Sequence, residues 1–299
     1  MNDIRKHKLK REGYIGFLFI LPALIYFTIL YFYPAFRTFL ISFYKVDPMS
    51  GALSKYEGLN FYKTVFNDLL FWRSIKNVSL LIAFSVPITI GLGLFVALLL
   101  DRIPNLKLRN TLSLLYFLPL AASLVAAALI WDWLLNPVYG LVNSVLAILR
   151  IPGQKWLTDP SQVIPSLAII SIWQRIGFDA VIFLAGLLAI PHEYLEAAKI
   201  DGASSRSIFL HVTLPLLNPQ IVMVSVLELI FGFKIFDQVF VATRGGPANT
   251  SLVPVLYLYD KAFTWFNFGE ASAVGVFLFI VVLGISIVQR KFLRRTIEY

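Results

Sequence analysis

Six long, unbroken apolar runs decide what this chain can fold into; they lie roughly at 14–33, 77–100, 111–134, 164–190, 214–240 and 271–289. About 20 apolar residues carry a helix across the ~30 Å hydrocarbon core of a bilayer. Lipid offers the backbone no hydrogen bonds, so each run must satisfy its own N–H and C=O groups, as a helix does. The runs are continuously apolar and do not alternate, which argues against a β-barrel. Composition agrees: 58% of residues are hydrophobic and 14% charged, at a mean hydropathy of +0.76. A soluble domain of this size cannot hide that much apolar surface. The expectation is an all-α membrane protein of six transmembrane helices. It reads as a single domain over residues 1–299, without a Gly/Ser linker, low-complexity tract or internal repeat.

A net charge of +9 invites a nucleic-acid reading, and the placement of the charges argues against it. Arg5, Lys6, Lys8, Lys10 and Arg11 precede the first run; Arg102, Lys107 and Arg109 lie between the second and third. Lys199 and Arg206 lie between the fourth and fifth, and Arg290, Lys291, Arg294 and Arg295 follow the last. The opposite connections are longer in total and hold fewer Lys and Arg. Short, basic loops and tails mark the cytoplasmic side, so both termini are expected inside. Bulky Tyr31, Phe32, Tyr33 and Pro34 follow the first run instead of a small-residue cleavage site, so it reads as a retained anchor. The absence of cysteine rules out thiolate ligands and disulfides. None of the three histidines stands at ligand spacing, so no metal site is expected.

Pro87 and Pro119 fall inside the second and third runs, where each removes a helical hydrogen bond. Gly91 and Gly93 offer a neighbouring helix a close approach. Arg244-Gly245-Gly246-Pro247 opens an external turn, since glycine permits positive φ and proline fixes the next φ.

Between the fourth and fifth runs lies a polar island. Glu193–Lys199 is built of helix formers. Pro191 suits a first turn, and Glu193 sits at the positive end of the helix dipole. Gly202 can take the left-handed conformation that stops a helix, and Ser204 or Ser205 can cap the next. Pro215 opens the fifth run. The spacing predicts helix–turn–helix at the membrane surface over the loop 191–213. From these residues alone it is either a plain amphipathic connector or a shaped docking element for a soluble partner.

The full pattern is more specific. Glu196-Ala197-Ala198, three residues, Gly202, nine residues, then Val212-Thr213-Leu214-Pro215 resembles the EAA loop of binding-protein-dependent ABC importer permeases. That pattern usually has Ile where this chain has Val212. Glu57-Gly58-Leu59-Asn60-Phe61-Tyr62, Trp131-Asp132-Trp133-Leu134-Leu135-Asn136 and Leu184-Ala185-Gly186-Leu187 are similar to segments of the carbohydrate-type permeases. Phe236-Asp237-Gln238-Val239 through Gly245-Gly246-Pro247 resembles the maltose-type first permease of a heteromeric pair. The resemblance implies a type I importer bundle with a cytoplasmic coupling helix. It makes Glu196, Ala197, Ala198, Asp201, Gly202 and Pro215 the coupling-loop residues. It also implies a second, different permease, two ATPase subunits and an extracytoplasmic solute-binding protein, in a bacterial or archaeal cell membrane. No Gly-x4-Gly-Lys-Ser/Thr phosphate loop occurs. The chain is therefore expected to hold no cofactor, with ATP and Mg used by the partner ATPases, and to carry no catalytic residue.

Ionisable residues within spans are costly and mark candidate pathways. Arg175 and Asp179 lie one turn apart, near mid-membrane; Glu228 lies at similar depth in the fifth run, with Lys234 and Asp237 further out. Either Arg175–Asp179 and Lys234–Asp237 are self-satisfying helix pairs, or some of these residues line a polar cavity that binds substrate hydroxyls. Trp173 and Phe233, with Phe231 and Phe236 nearby, add aromatic plates suited to the C–H faces of sugars. Trp131, Trp133 and Trp265 read as an outer aromatic belt. Beside a carbohydrate importer two alternatives stand. One is uptake of an anionic polyol phosphate, with Arg175 or Lys234 meeting the phosphate. The other is a passive channel or ion-coupled carrier that uses the charges as its ion path.

Overall fold

The computed structural model describes residues 17–293. The basic tail residues Arg5, Lys6, Lys8, Lys10, Arg11, Arg294 and Arg295 lie outside them. The described chain forms two compact units, one of the residues up to Val65 with Lys261–Val276, the other of Phe66–Asp260 with the residues from Phe277 on.

The first unit opens with α1 (Phe17–Ile41), whose most apolar stretch has no buried residue. The helix continues past Pro34 because the turn before it widens. Thr28–Phe32 is a π turn, with Tyr33 N–H bonded to Thr28 O. A small hairpin follows, pairing β1 (Tyr44–Val46) antiparallel with β2 (Leu53–Tyr56) in the register Tyr44↔Tyr56. Next to it Lys55 and Asn60 bond the Glu57 carboxylate and hold its pKa below the usual range. In the C-terminal part of this unit Lys261 Nζ donates to Glu270 at 2.6 Å. Trp265 is 52% exposed.

The second unit is built on α3 (Leu69–Asp101), which α2 (Asn60–Asn67) precedes in the chain. The side chain of Asp68 caps α3 by accepting from Leu70 N at 2.8 Å. With 33 residues it is about 50 Å long at ~1.5 Å per residue, more than the hydrocarbon thickness. Pro87 leaves the helix continuous. Helix α3 packs along α7 (Val163–Leu188), the most extensive helix contact in the unit. A Cβ on Gly93 would stand 2.6 Å from that of Asp179, whereas one on Gly91 would meet nothing. Of the two glycines only Gly93 is used for close approach.

The third apolar run departs from the expected single span. It forms α4 (Leu106–Ala121) and α5 (Leu124–Leu134), which meet at 93°. The break falls just after Pro119, where Ala122 turns to extended backbone. Among the described residues, five helices are long and apolar enough to cross a membrane, and the bent pair makes a sixth if counted as one. Beyond α6 (Leu141–Ile148) and α7 comes the polar island, α8 (His192–Ile200) and α9 (Ser205–Ile208). A second π turn, Phe209–Thr213, precedes Pro215. Then α10 (Asn218–Phe233) stops and α11 (Asp237–Ala242) restarts. Asn77 Nδ2 ties down the following loop through Asn249 O and Leu252 O, at 3.0 and 2.9 Å. The described residues end on α12 (Pro254–Tyr259) and α13 (Phe268–Leu293). The core joins Val96, Ala97 and Leu100 of α3 to Phe183, Leu184 and Leu187 of α7, with Leu217 and Val224.

Candidate functional site

Two features stand out in the second unit, a cavity among the spans and the surface loop. The cavity, of about 540 Å³, is lined by α3, the α4–α5 bend, α7 and the α10–α11 break. Leu120, Ala122 and Leu124 face it from the bend, and Lys234, Ile235 and Phe236 from the break. Interrupted helices leave backbone groups without intrahelical partners, and such backbone is tolerated at membrane depth where it lines a cavity.

Arg175, Glu228, Lys234 and Asp237 all line this cavity. Arg175 does not pair with Asp179 on its own helix. Its Nε donates to Glu228 Oε1 on α10 at 2.5 Å, and its guanidinium lies 3.7 Å from the centre of the Phe231 ring. Both partners are buried, at 9% and 4% exposure. Asp179 is fully enclosed behind them, its carboxyl beside that of Glu228. The physical reason is packing. At Gly93 α3 comes close against Asp179, and Arg175 turns toward α10, where a carboxylate and an aromatic face both meet it.

Lys234 and Asp237 do not pair either. The helix stops between them, so the i,i+3 geometry that a pair needs is absent. Trp173 lies off the cavity and meets Trp131 edge to face at 5.8 Å. Trp131 is thereby drawn into packing, while Trp133 is 73% exposed. Phe233 is also absent from the lining; Phe178, Phe231 and Phe236 supply the aromatic faces. Sequence reasoning missed Ser85, Ser171 and Gln174, which share the lining. Their signal was the same as that of the charges, polar side chains inside apolar runs, but weaker.

The surface loop follows its local chemistry. Glu193 lies in the first turn of α8 and Lys199 in the last. Asp201 ends the helix, its N–H bonded to Ala197 O at 3.0 Å, and Ala203 N–H reaches Ala198 O at 3.0 Å. Gly202 sits at φ +78°, the left-handed stop. Ser204, not Ser205, caps α9 by accepting from Ser207 N at 3.3 Å. Leu195 turns inward onto the core cluster that includes Leu187, Ile190 and Leu217. Glu196 and Ala197 face outward, and Ile200 is 86% exposed. An anchored inner face and a bare outer face are what a helix needs if it is to be pushed by something outside the chain.

Comparison with known proteins adds the following. Residues 89–298 match the family described as binding-protein-dependent transport system inner membrane component. The chain is 34% identical over 296 residues to the trehalose/maltose transport system permease protein of Thermococcus litoralis, covering 97% of this chain and 98% of that one. A probable ABC transporter permease of Pyrococcus horikoshii is 34% identical over 270 residues, covering 89% and 91%. The sulfoquinovosyl glycerol transport system permease of Agrobacterium fabrum is 31% identical over 280 residues, covering 94% and 90%. A chain of a bacterial ABC transporter involved in import of the acidic polysaccharide alginate shares the fold, with a TM-score of 0.83 at 24% identity over 98% and 100% of the two chains.

Proposed function

Because the chain belongs to the inner membrane components of binding-protein-dependent transport systems, a transport component and not an enzyme, we propose that it is a permease subunit of an ATP-driven carbohydrate importer. Its relatives include permeases named for trehalose/maltose, lactose and arabinooligosaccharides. With a second, different permease it forms the translocation path in a bacterial or archaeal inner membrane, both termini cytoplasmic. Two ATPase subunits using ATP and Mg dock on the 191–213 loop, through Glu196, Ala197, Ala198, Asp201 and Gly202, with Pro215 marking the return into the membrane. A solute-binding protein delivers from outside, as in the alginate transporter solved with its oligosaccharide-bound periplasmic protein.

The observation that carries the reading is the path from loop to cavity. A push on α8 reaches Leu195, which packs on the core cluster that joins the end of α7 to the start of α10 and includes Leu187, Ile190, Leu217 and Val224. Those two helices hold Arg175 and Glu228 across the cavity. Closure of the ATPases thus acts on the walls that meet the solute. Glu196→Lys tests it, since reversed charge at a docking surface costs on the order of several kcal/mol. The variant should reach the membrane at normal level and lose either the co-purifying ATPases or solute-stimulated ATP hydrolysis in the reconstituted complex. Full assembly and stimulation would make the loop a mere connector.

A further inference from the structure

We propose that the cavity is built for an uncharged, hydroxyl-bearing solute and selects against anions. The inference rests on the importer reading and narrows it. Arg175, the deepest cation, is committed. Its charge is cancelled by Glu228 at 2.5 Å, with Asp179 enclosed behind as a second carboxyl. The remaining charged groups of the lining, Lys234 and Asp237, are one of each sign. Counted with Asp179 behind, three carboxyl groups stand against two cations, so an anion entering here finds no net positive charge, and like-charge juxtaposition in a low-dielectric site is costly.

Apart from Arg175 Nη2, which has no hydrogen-bond partner among the described residues, the unspent hydrogen-bonding capacity of the buried lining is neutral. Gln174 and Ser85 are 7% and 5% exposed, line the cavity, and have no side-chain hydrogen bond to any described residue. Buried polar groups normally have partners. An amide and a hydroxyl each donate and accept, as a sugar hydroxyl does. Phe178, Phe231 and Phe236 in the same lining offer apolar faces to sugar C–H groups. Neutral donor–acceptor groups, aromatic faces and cancelled charge together match a sugar without phosphate, sulfonate or carboxylate.

The chain has no cysteine, so a single Leu124→Cys reports on the cavity wall in the complete complex of permeases, ATPases and binding protein. Its labelling is compared with anionic sulfonatoethyl and cationic trimethylammonioethyl methanethiosulfonate. The ratio of rates should fall within about threefold of that on free mercaptoethanol, and Asp179→Asn/Glu228→Gln should shift it toward the anionic reagent at least ~10-fold, the enrichment a single-sign cleft produces. A mixture of trehalose, maltose, lactose and arabinotriose should slow labelling, while glycerol phosphate and glucuronate at equal concentration should not. Gln174→Ala/Ser85→Ala should remove that protection and leave the charge ratio unchanged. Anionic preference in the parent, no shift in the charge variant, or protection by the anions overturns the proposal. Protection by neither set overturns the role of Gln174 and Ser85. Co-purification of the ATPases, scored on the same preparation, reports separately on the importer reading.

Discussion

At the residue scale, Gly202 and Arg175 carry the most informative tests. Gly202 sits at φ +78°, and a Cβ there would meet nothing within 4 Å. Within this chain, any effect of substitution therefore comes from backbone conformation. Left-handed backbone costs an L-residue about 1–2 kcal/mol, and Asn tolerates it better than β-branched residues. Gly202→Asn should retain solute-stimulated ATP hydrolysis and Gly202→Val should lose most of it, at equal membrane levels. Equal activity in both variants would mean that the turn does not need this conformation. Arg175 is buried with Glu228 at 2.5 Å. Removing one member of such a pair costs about 3–5 kcal/mol, because it strands a buried charge. Arg175→Met should lower the thermal midpoint of the purified complex sharply. Adding Glu228→Gln should recover more of it than adding Asp179→Asn, and the reverse order would assign Arg175 to its own helix.

At the scale of elements, α3 and α7 are held at the distance a glycine allows. An Ala at Gly93 would place its Cβ 2.6 Å from Asp179 Cβ, while Gly91 has open space. Overpacking a tight contact costs about 1–3 kcal/mol, so Gly93→Ala should destabilise the purified protein by that order and Gly91→Ala should not. Thermal unfolding in detergent compares the two, and equal midpoints would show that the helices are free to move apart. The same logic holds at Gly177, where an added Cβ would collide with the backbone of Tyr116 on α4. Packed this closely on α7, α4 ends five residues later and the chain turns away at the cavity.

For the whole molecule, the basic-residue asymmetry leads to the expectation that the 191–213 loop lies inside and the hairpin and 243–253 connections outside. Single cysteines at Ser54, Asn249 and Ser204, all in described, non-helical segments, test the sidedness in intact cells. An impermeant thiol reagent should label Ser54→Cys and Asn249→Cys and should spare Ser204→Cys until the membrane is permeabilised. Labelling of Ser204→Cys from outside would invert the arrangement and remove the loop from the reach of a cytoplasmic ATPase.

What the sequence determined by itself was whatever short-range rules govern. Apolar length sets which segments can cross lipid, and the loop's helix, stop and cap follow from Glu193, Gly202 and Ser204 within a few residues of one another. The candidate charges were legible too, because an ionisable residue inside an apolar run is expensive wherever the run packs. Their partners were not. From sequence the nearest countercharge to Arg175 is Asp179, one turn away, yet the bond goes to Glu228, 53 residues on. That choice depends on which helix faces α7, a long-range contact with no local signature. The two breaks that open the cavity share this character. A proline marks one run, but Pro87 leaves its helix intact while the helix at Pro119 turns by 93°. The difference lies in the packing around each site, which only the assembled helices decide.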